Sequence, residues 1–177
     1  MTITMTATMK KIISFLLVLS LLSFSGCGLI DIGGKDYEAK DKVFEFQGFK
    51  LTLTEDFELD GKEEDDGVWY ESSSGTSVSI NKYALSNSDK ELGLGAYILA
   101  EETSKDLPYR KVSEVKTDNG LIYLECEVES YDFEFLYFMS FYESENALWS
   151  VFFICDLEDY DTYKEYFIKW AGSAILP

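Results

Sequence analysis

The 177 residues include no histidine. That absence removes the usual general base, the usual activator of a serine or cysteine nucleophile and the commonest metal ligand. Carboxylate-only hydrolysis survives that absence, one carboxyl as acid and one as base or nucleophile. Glu125, Glu127 and Glu134 fall on neighbouring apolar-patterned segments and invite that reading. The same spacing is accounted for by outward, solvated positions on a half-exposed sheet, so no catalytic residue is assigned. The run Asp60-Gly61-Lys62-Glu63-Glu64-Asp65-Asp66-Gly67 offers hard oxygen ligands suited to calcium, without the Asp-x-Asp-x-Asp-Gly spacing and distal Glu of an EF-hand loop. It reads as a solvated acidic turn, and no metal or cofactor is expected. A second acidic cluster, Asp156, Glu158, Asp159 and Asp161, reads as capping of the helix behind it. Trp69, Tyr70, Tyr83, Tyr97 and Trp149 could present a stacking surface to a glycan or peptide, although aromatics at period two equally suit sheet packing.

Covalent chemistry of another kind is written at Cys27. Lys10 and Lys11 open a positive segment, and Ile12 to Phe24 follow as an apolar run broken only by Ser14, Ser20 and Ser23. About 13 residues is the length of a signal-peptide core, short of the roughly 20 a membrane-spanning helix needs. The run ends in Phe24-Ser25-Gly26-Cys27, which resembles the lipobox of bacterial lipoproteins, with Phe24 standing where Leu is usual. The resemblance implies cleavage after Gly26, a diacylglyceryl group on the Cys27 thiol, and an extracytoplasmic protein anchored to a bacterial membrane. Met1 to Thr8 have no charge and no packing logic, and resemble a vector leader or an upstream start ahead of Met9.

Residues 1–26 are therefore read as leader and signal peptide, 27–41 as the lipidated cysteine and a flexible tether, and 42–177 as one α+β domain. The tether holds Gly33-Gly34 and a mixed-charge run, and about 14 such residues have an r.m.s. span near 20 Å. The chain carries a net charge of −18, and the leader contributes two lysines and no acid, so the remainder is more acidic still. Such a surface repels phosphate backbones, which argues against nucleic acid as a partner. At 46% hydrophobic residues the chain is apolar enough to bury a core without a disulfide.

Positioning elements follow from periodicity. Val43–Phe46 and Phe49–Thr54 alternate around a turn at Gly48, and Val68–Ser72 and Ser77–Ala84 alternate around Ser74-Gly75. Ser88-Asp89-Lys90-Glu91 has the form of a capping box, and Leu92 to Lys105 behind it places Leu92, Ala96, Leu99, Ala100 and Thr103 on one side of a helix that Leu107-Pro108 stops. Arg110–Thr117 alternates again, and Asp118-Asn119-Gly120 predicts a turn. Leu121–Glu129, Tyr131–Tyr142 and Leu148–Cys155 read as three strands, the middle one apolar on both parities and so central. Tyr163, Tyr166, Phe167, Trp170, Ala171 and Ala174 mark the stripe of a closing helix.

This order predicts an α+β fold, an antiparallel meander sheet covered by two helices. It resembles PsbP-like domains, which photosystem accessory proteins share with a Ran-binding nuclear import factor. The resemblance is carried by Phe49-Lys50-Leu51-Thr52-Leu53-Thr54 before the acidic loop, the mid-chain helix, the late aromatic meander and the closing amphipathic helix. It implies an α/β/α sandwich over about Val43 to Leu176, and it carries over no functional residue.

Cys126 and Cys155 fall on strands that the meander separates by a third, about 9.6 Å at the same level, beyond the roughly 7 Å a disulfide tolerates. Short turns would set Cys126 opposite Phe135 and Cys155 opposite Glu134, on opposite faces, so both are expected as free, packed thiols. The functional expectation is a membrane-anchored, non-enzymatic binding or accessory module of the cell envelope, with an envelope protein or a glycan as partner. The rival is an envelope hydrolase using paired carboxylates.

Overall fold

Two residues with positive φ, Gln47 at 50° and Gly48 at 88°, close the first hairpin in the computed structural model. A two-residue turn with both φ values positive matches the twist of the strands it joins, here β1 (Asp41–Phe46) and β2 (Phe49–Thr54). The structure describes residues 40–85, 93–106, 111–130 and 133–177. Cys27, most of the expected tether, the Ser88–Glu91 capping box and the Leu107-Pro108 stop lie outside those residues.

The main sheet comprises β3 (Phe57–Leu59), β4 (Gly67–Ser72), β5 (Ser77–Ala84), β6 (Lys111–Val112), β7 (Lys116–Asp118), β8 (Leu121–Ser130), β9 (Phe133–Glu143) and β10 (Ala147–Asp156). Its order is β3-β4-β5-β10-β9-β8-β6, with β7 also on β8, and every pairing is antiparallel. Helix α1 (Gly95–Asp106) follows β5, and a 3-10 turn at Leu157–Asp159 leads into α2 (Tyr160–Gly172). The antiparallel sheet with helices is the architecture expected. Within it, two meanders, β3-β4-β5 and β8-β9-β10, meet where β10 returns alongside β5. The connection through α1 carries the chain from the middle of the sheet to its far edge, which lets β10 close back onto β5.

Each face has its own cover. On one, α2 and the β1–β2 hairpin share a core with the sheet, built from Phe46, Phe49, Leu51, Val78, Ile80, Phe138, Trp149, Phe153, Phe167 and Trp170 among others. Each such side chain contributes about 1.5–3 kcal/mol of burial. On the other, α1 packs on β8, β9 and β10 through its buried side, Ala96, Leu99, Ala100 and Thr103. Phe135 to Phe141 of β9 are buried at both parities, as a central strand covered on both faces requires.

Three local expectations change. The strand expected over Arg110–Thr117 is two short strands, because Val112 pairs with Cys126 and Lys116 with Tyr123, leaving three residues opposite two. That extra residue is a bulge: the Ser113 amide donates to the Glu125 carbonyl, and the Glu125 amide donates to Ser113 Oγ at 2.9 Å. The helix expected from Leu92 begins at Gly95, and β3, only three residues long, had no period to betray it.

Candidate functional site

Strand β8 alternates, so Glu125 and Glu127 share the face that looks toward α2. The Lys116 ammonium and the Tyr160 hydroxyl each donate to the Glu125 carboxylate at 2.7 Å, and Lys164 lies 3.3 Å away. Burial pushes this carboxyl up, but the two hydrogen bonds and the two lysine charges outweigh it and hold the group below the usual carboxylate range. Glu127 accepts from Lys111 at 2.6 Å. Glu134 lies across the ladder from Glu129, at the exposed end of the β8–β9 hairpin. A two-carboxylate hydrolase needs one acid raised toward neutrality. Both oxygens of Glu125 are taken by Lys116, Lys164 and Tyr160, and Glu127 is held by Lys111, so the arrangement is an ion-pair network joining β6, β7, β8 and α2.

The acidic turn from Asp60 to Asp65 is exposed throughout. It is held by backbone contacts, with Gln47 Nε2 donating to the Asp65 carbonyl at 2.7 Å and the Lys82 amide to that of Asp66 at 2.9 Å. Among the described residues no three acidic or thiol side chains converge to hold a metal. The second cluster stands at the start of α2 as expected, with Asp159 at its N-cap and Asp161 in its first turn, but neither Asp156 nor Asp159 makes a side-chain cap hydrogen bond. Asp156 is pushed up by burial and then by the charges of Asp159 and Glu158, so the cluster is a self-repelling patch that meets the helix only through its field.

The five aromatics do not form one surface. Trp149 is fully buried between Phe46 and Phe49, and Tyr70 packs edge-on against Phe44, both on the core face. Trp69 lies on the opposite face by strand alternation, as Tyr83 does, while Tyr97 sits on the exposed side of α1. Period two placed Trp69 and Tyr70 on opposite faces from the outset; being neighbours in sequence separates them.

A polar feature went unread in the sequence. Ser79, Asn81 and Ser150 are 3%, 2% and 1% exposed, on the α1-side face of β5 and β10. Ser79 Oγ donates to Asn81 Oδ1 at 3.2 Å, the Asn81 amide reaches Ser150 Oγ at 3.5 Å, and the Tyr83 hydroxyl meets the same Oγ at 3.3 Å. The run Ser77-Val78-Ser79-Ile80-Asn81 alternates as a solvated strand would. Burial of its polar side is a tertiary effect that alternation cannot register. The chain consists of neutral donors and acceptors, and it fixes strand pairing between β5 and β10.

No family model and no curated protein matches this chain. Among solved structures it is similar to the solution structure of cyanobacterial PsbP (CyanoP) from Synechocystis sp. PCC 6803. The TM-score is 0.59 over 87% of this chain and 99% of that one, at 14% identity. The fold is PsbP-like. At that identity the likeness speaks for architecture alone.

Proposed function

We propose that this protein is a lipoprotein anchored to a bacterial membrane through Cys27, whose PsbP-like domain is a non-enzymatic binding or accessory module of the cell envelope. The non-catalytic half of the reading is supported by Glu125, the best-placed candidate carboxylate, both of whose oxygens are taken up by Lys116, Tyr160 and Lys164. The anchored half is carried by the short apolar run ending at Gly26-Cys27. A fold that also serves photosystem accessory proteins agrees with a role in assembly or recognition. The partner is an envelope protein or a glycan, and nucleic acid is disfavoured by the net charge of −18.

The anchor is tested by phase separation in detergent and by the mass of the N-terminal peptide. The expected result is a diacylglyceryl-modified Cys27 in the detergent phase, and loss of that partitioning or of processing in Cys27→Ala. Unchanged partitioning of the variant rules the anchor out. Partners are sought by pull-down from envelope extract with immobilised full-length protein. Glu125→Gln should retain the wild-type set of captured partners, whereas hydrolysis of an envelope glycan that this substitution abolishes would reinstate the carboxylate mechanism.

A further inference from the structure

The β1–β2 hairpin forms a small sheet of its own whose inner side, Phe44, Phe46, Phe49, Leu51 and Leu53, is buried in the core. Its outer side carries Val43, Glu45, Lys50 and Thr52 by alternation. The chain's last residues extend it: Lys50 and Ile175 exchange both backbone hydrogen bonds at 2.9 Å, so Ile175 stands beside Lys50 on that outer side. Val43 and Ile175 are 60% and 62% exposed, the two most exposed large apolar side chains among the described residues.

The charge around them departs from that of the whole chain. The outer positions carry Asp41, Glu45 and Lys50, and Lys169 reaches Asp41, a local balance of zero on a chain of −18. Lys50 pairs with Glu45 at 3.5 Å and Lys169 with Asp41 at 3.1 Å, so each acid of the face is matched by a lysine. By contrast, the turn at 60–66 and the cluster at 156–161 are dense in acids.

We propose that the outer face of the β1–β2 pair and Ile175 is the surface on which the domain rests against lipid headgroups, with Val43 and Ile175 directed at the acyl boundary. The inference rests on the lipid-anchored reading above. Three observations choose a lipid surface as the occupant. The chain enters the fold here, since β1 starts 14 residues after Cys27, so this end of the domain is the one held to the bilayer. The face is neutral, its acids each paired with a lysine, whereas the acidic turn and the 156–161 cluster would be repelled by anionic headgroups. Its apolar content is small, and two side chains alone would not retain a free domain. Tethering makes the contact intramolecular, so a weak contact is occupied.

The experiment uses the full-length acylated protein in vesicles of phosphatidylglycerol and phosphatidylethanolamine that carry an acyl-chain quencher. Val43→Cys, Ile175→Cys and, as a control at the far end of α2, Asp161→Cys each receive a fluorescent label. Cys126 and Cys155 are buried and their thiols are pushed up to about 12, so they do not compete for label at neutral pH. The expected result is severalfold stronger quenching at 43 and 175 than at 161. Equal, weak quenching at all three positions, with the protein still vesicle-bound, overturns the docking face and leaves the anchor standing. Protein that stays off the vesicles overturns both readings. Shielding of 43 and 175 only after an envelope protein fraction is added assigns the face to a protein partner and overturns the lipid assignment.

Discussion

The phenolic hydroxyl of Tyr160, in the first turn of α2, donates to the Glu125 carboxylate of β8 at 2.7 Å. Lys116 of β7 and Lys164 of α2 complete the shell, so one carboxylate joins three elements. A hydrogen bond to a charged group contributes about 1.5–3 kcal/mol, and Tyr160→Phe should cost about 1–2 kcal/mol at pH 7, read by urea unfolding.

The same group sets a pH dependence. Its folded pKa lies below its unfolded value, so the stability it adds is fully present above the unfolded value of about 4.3 and is lost as pH falls through the folded one. Glu125→Gln should therefore be destabilised relative to the native chain at pH 7, with the difference shrinking on acidification below pH ~4. A gap that widens on acidification would show that the carboxyl is raised, as a catalytic acid would be.

Trp170 tests the core. It is 3% exposed and stands edge-on to Phe57 at 5.4 Å, with Phe153 and Phe167 at 6.1 and 5.8 Å. Trp170→Ala should cost roughly 3–5 kcal/mol in denaturant unfolding. Tyr166, on the same expected stripe, is 43% exposed. Tyr166→Ala should therefore cost much less, because the buried stripe is narrower than the sequence drew it.

What the sequence disclosed, and what it withheld, has a physical pattern. Strands, turns and helices were legible because alternation and positive-φ turn residues such as Asn119-Gly120 are local signals. The partnership of β5 with β10 was not, since it is made by residues some 70 positions apart, as in the pairing of Val151 with Ile80. Site chemistry suffered in the same way. That Glu125 meets Tyr160 and Lys164 depends on where α2 lands, and nothing near Glu125 in sequence encodes it. The buried chain through Ser79, Asn81 and Ser150 looked solvated because its cover is tertiary.

Helix α1 offers a third kind of test, at a terminus. The Gly95 amide donates to Glu143 Oε2 at 2.7 Å, so a carboxylate from the end of β9 satisfies an amide that the helix itself cannot. Glu143→Ala should cost about 1 kcal/mol, the usual worth of a helix cap, and should speed hydrogen exchange over the first turn of α1. Gly95 itself cannot be replaced freely, since an added Cβ would stand 2.7 Å from Leu148 Cδ2. Gly95→Ala should be destabilising despite alanine's better helix propensity.

The last expectation concerns the two thiols of the domain. Cys126 pairs across β8–β9 with Tyr137, and Cys155 across β10–β9 with Leu136. The turns at both ends differ from the simple ones anticipated, so each cysteine sits two residues further along β9 than Phe135 and Glu134. A shift of two preserves parity, and Tyr137 and Leu136, being neighbours, point to opposite faces. The cysteines are thus kept apart twice over, by an intervening strand and by facing opposite sides of the sheet, and both are free and buried. Burial pushes both thiols up to about 12, which leaves almost no thiolate at neutral pH. Alkylation of the unreduced protein should label neither in the native state and both under denaturant, read by mass spectrometry. A native crosslink between them would require β8 and β10 to be neighbours, and with that the sheet order itself would fall.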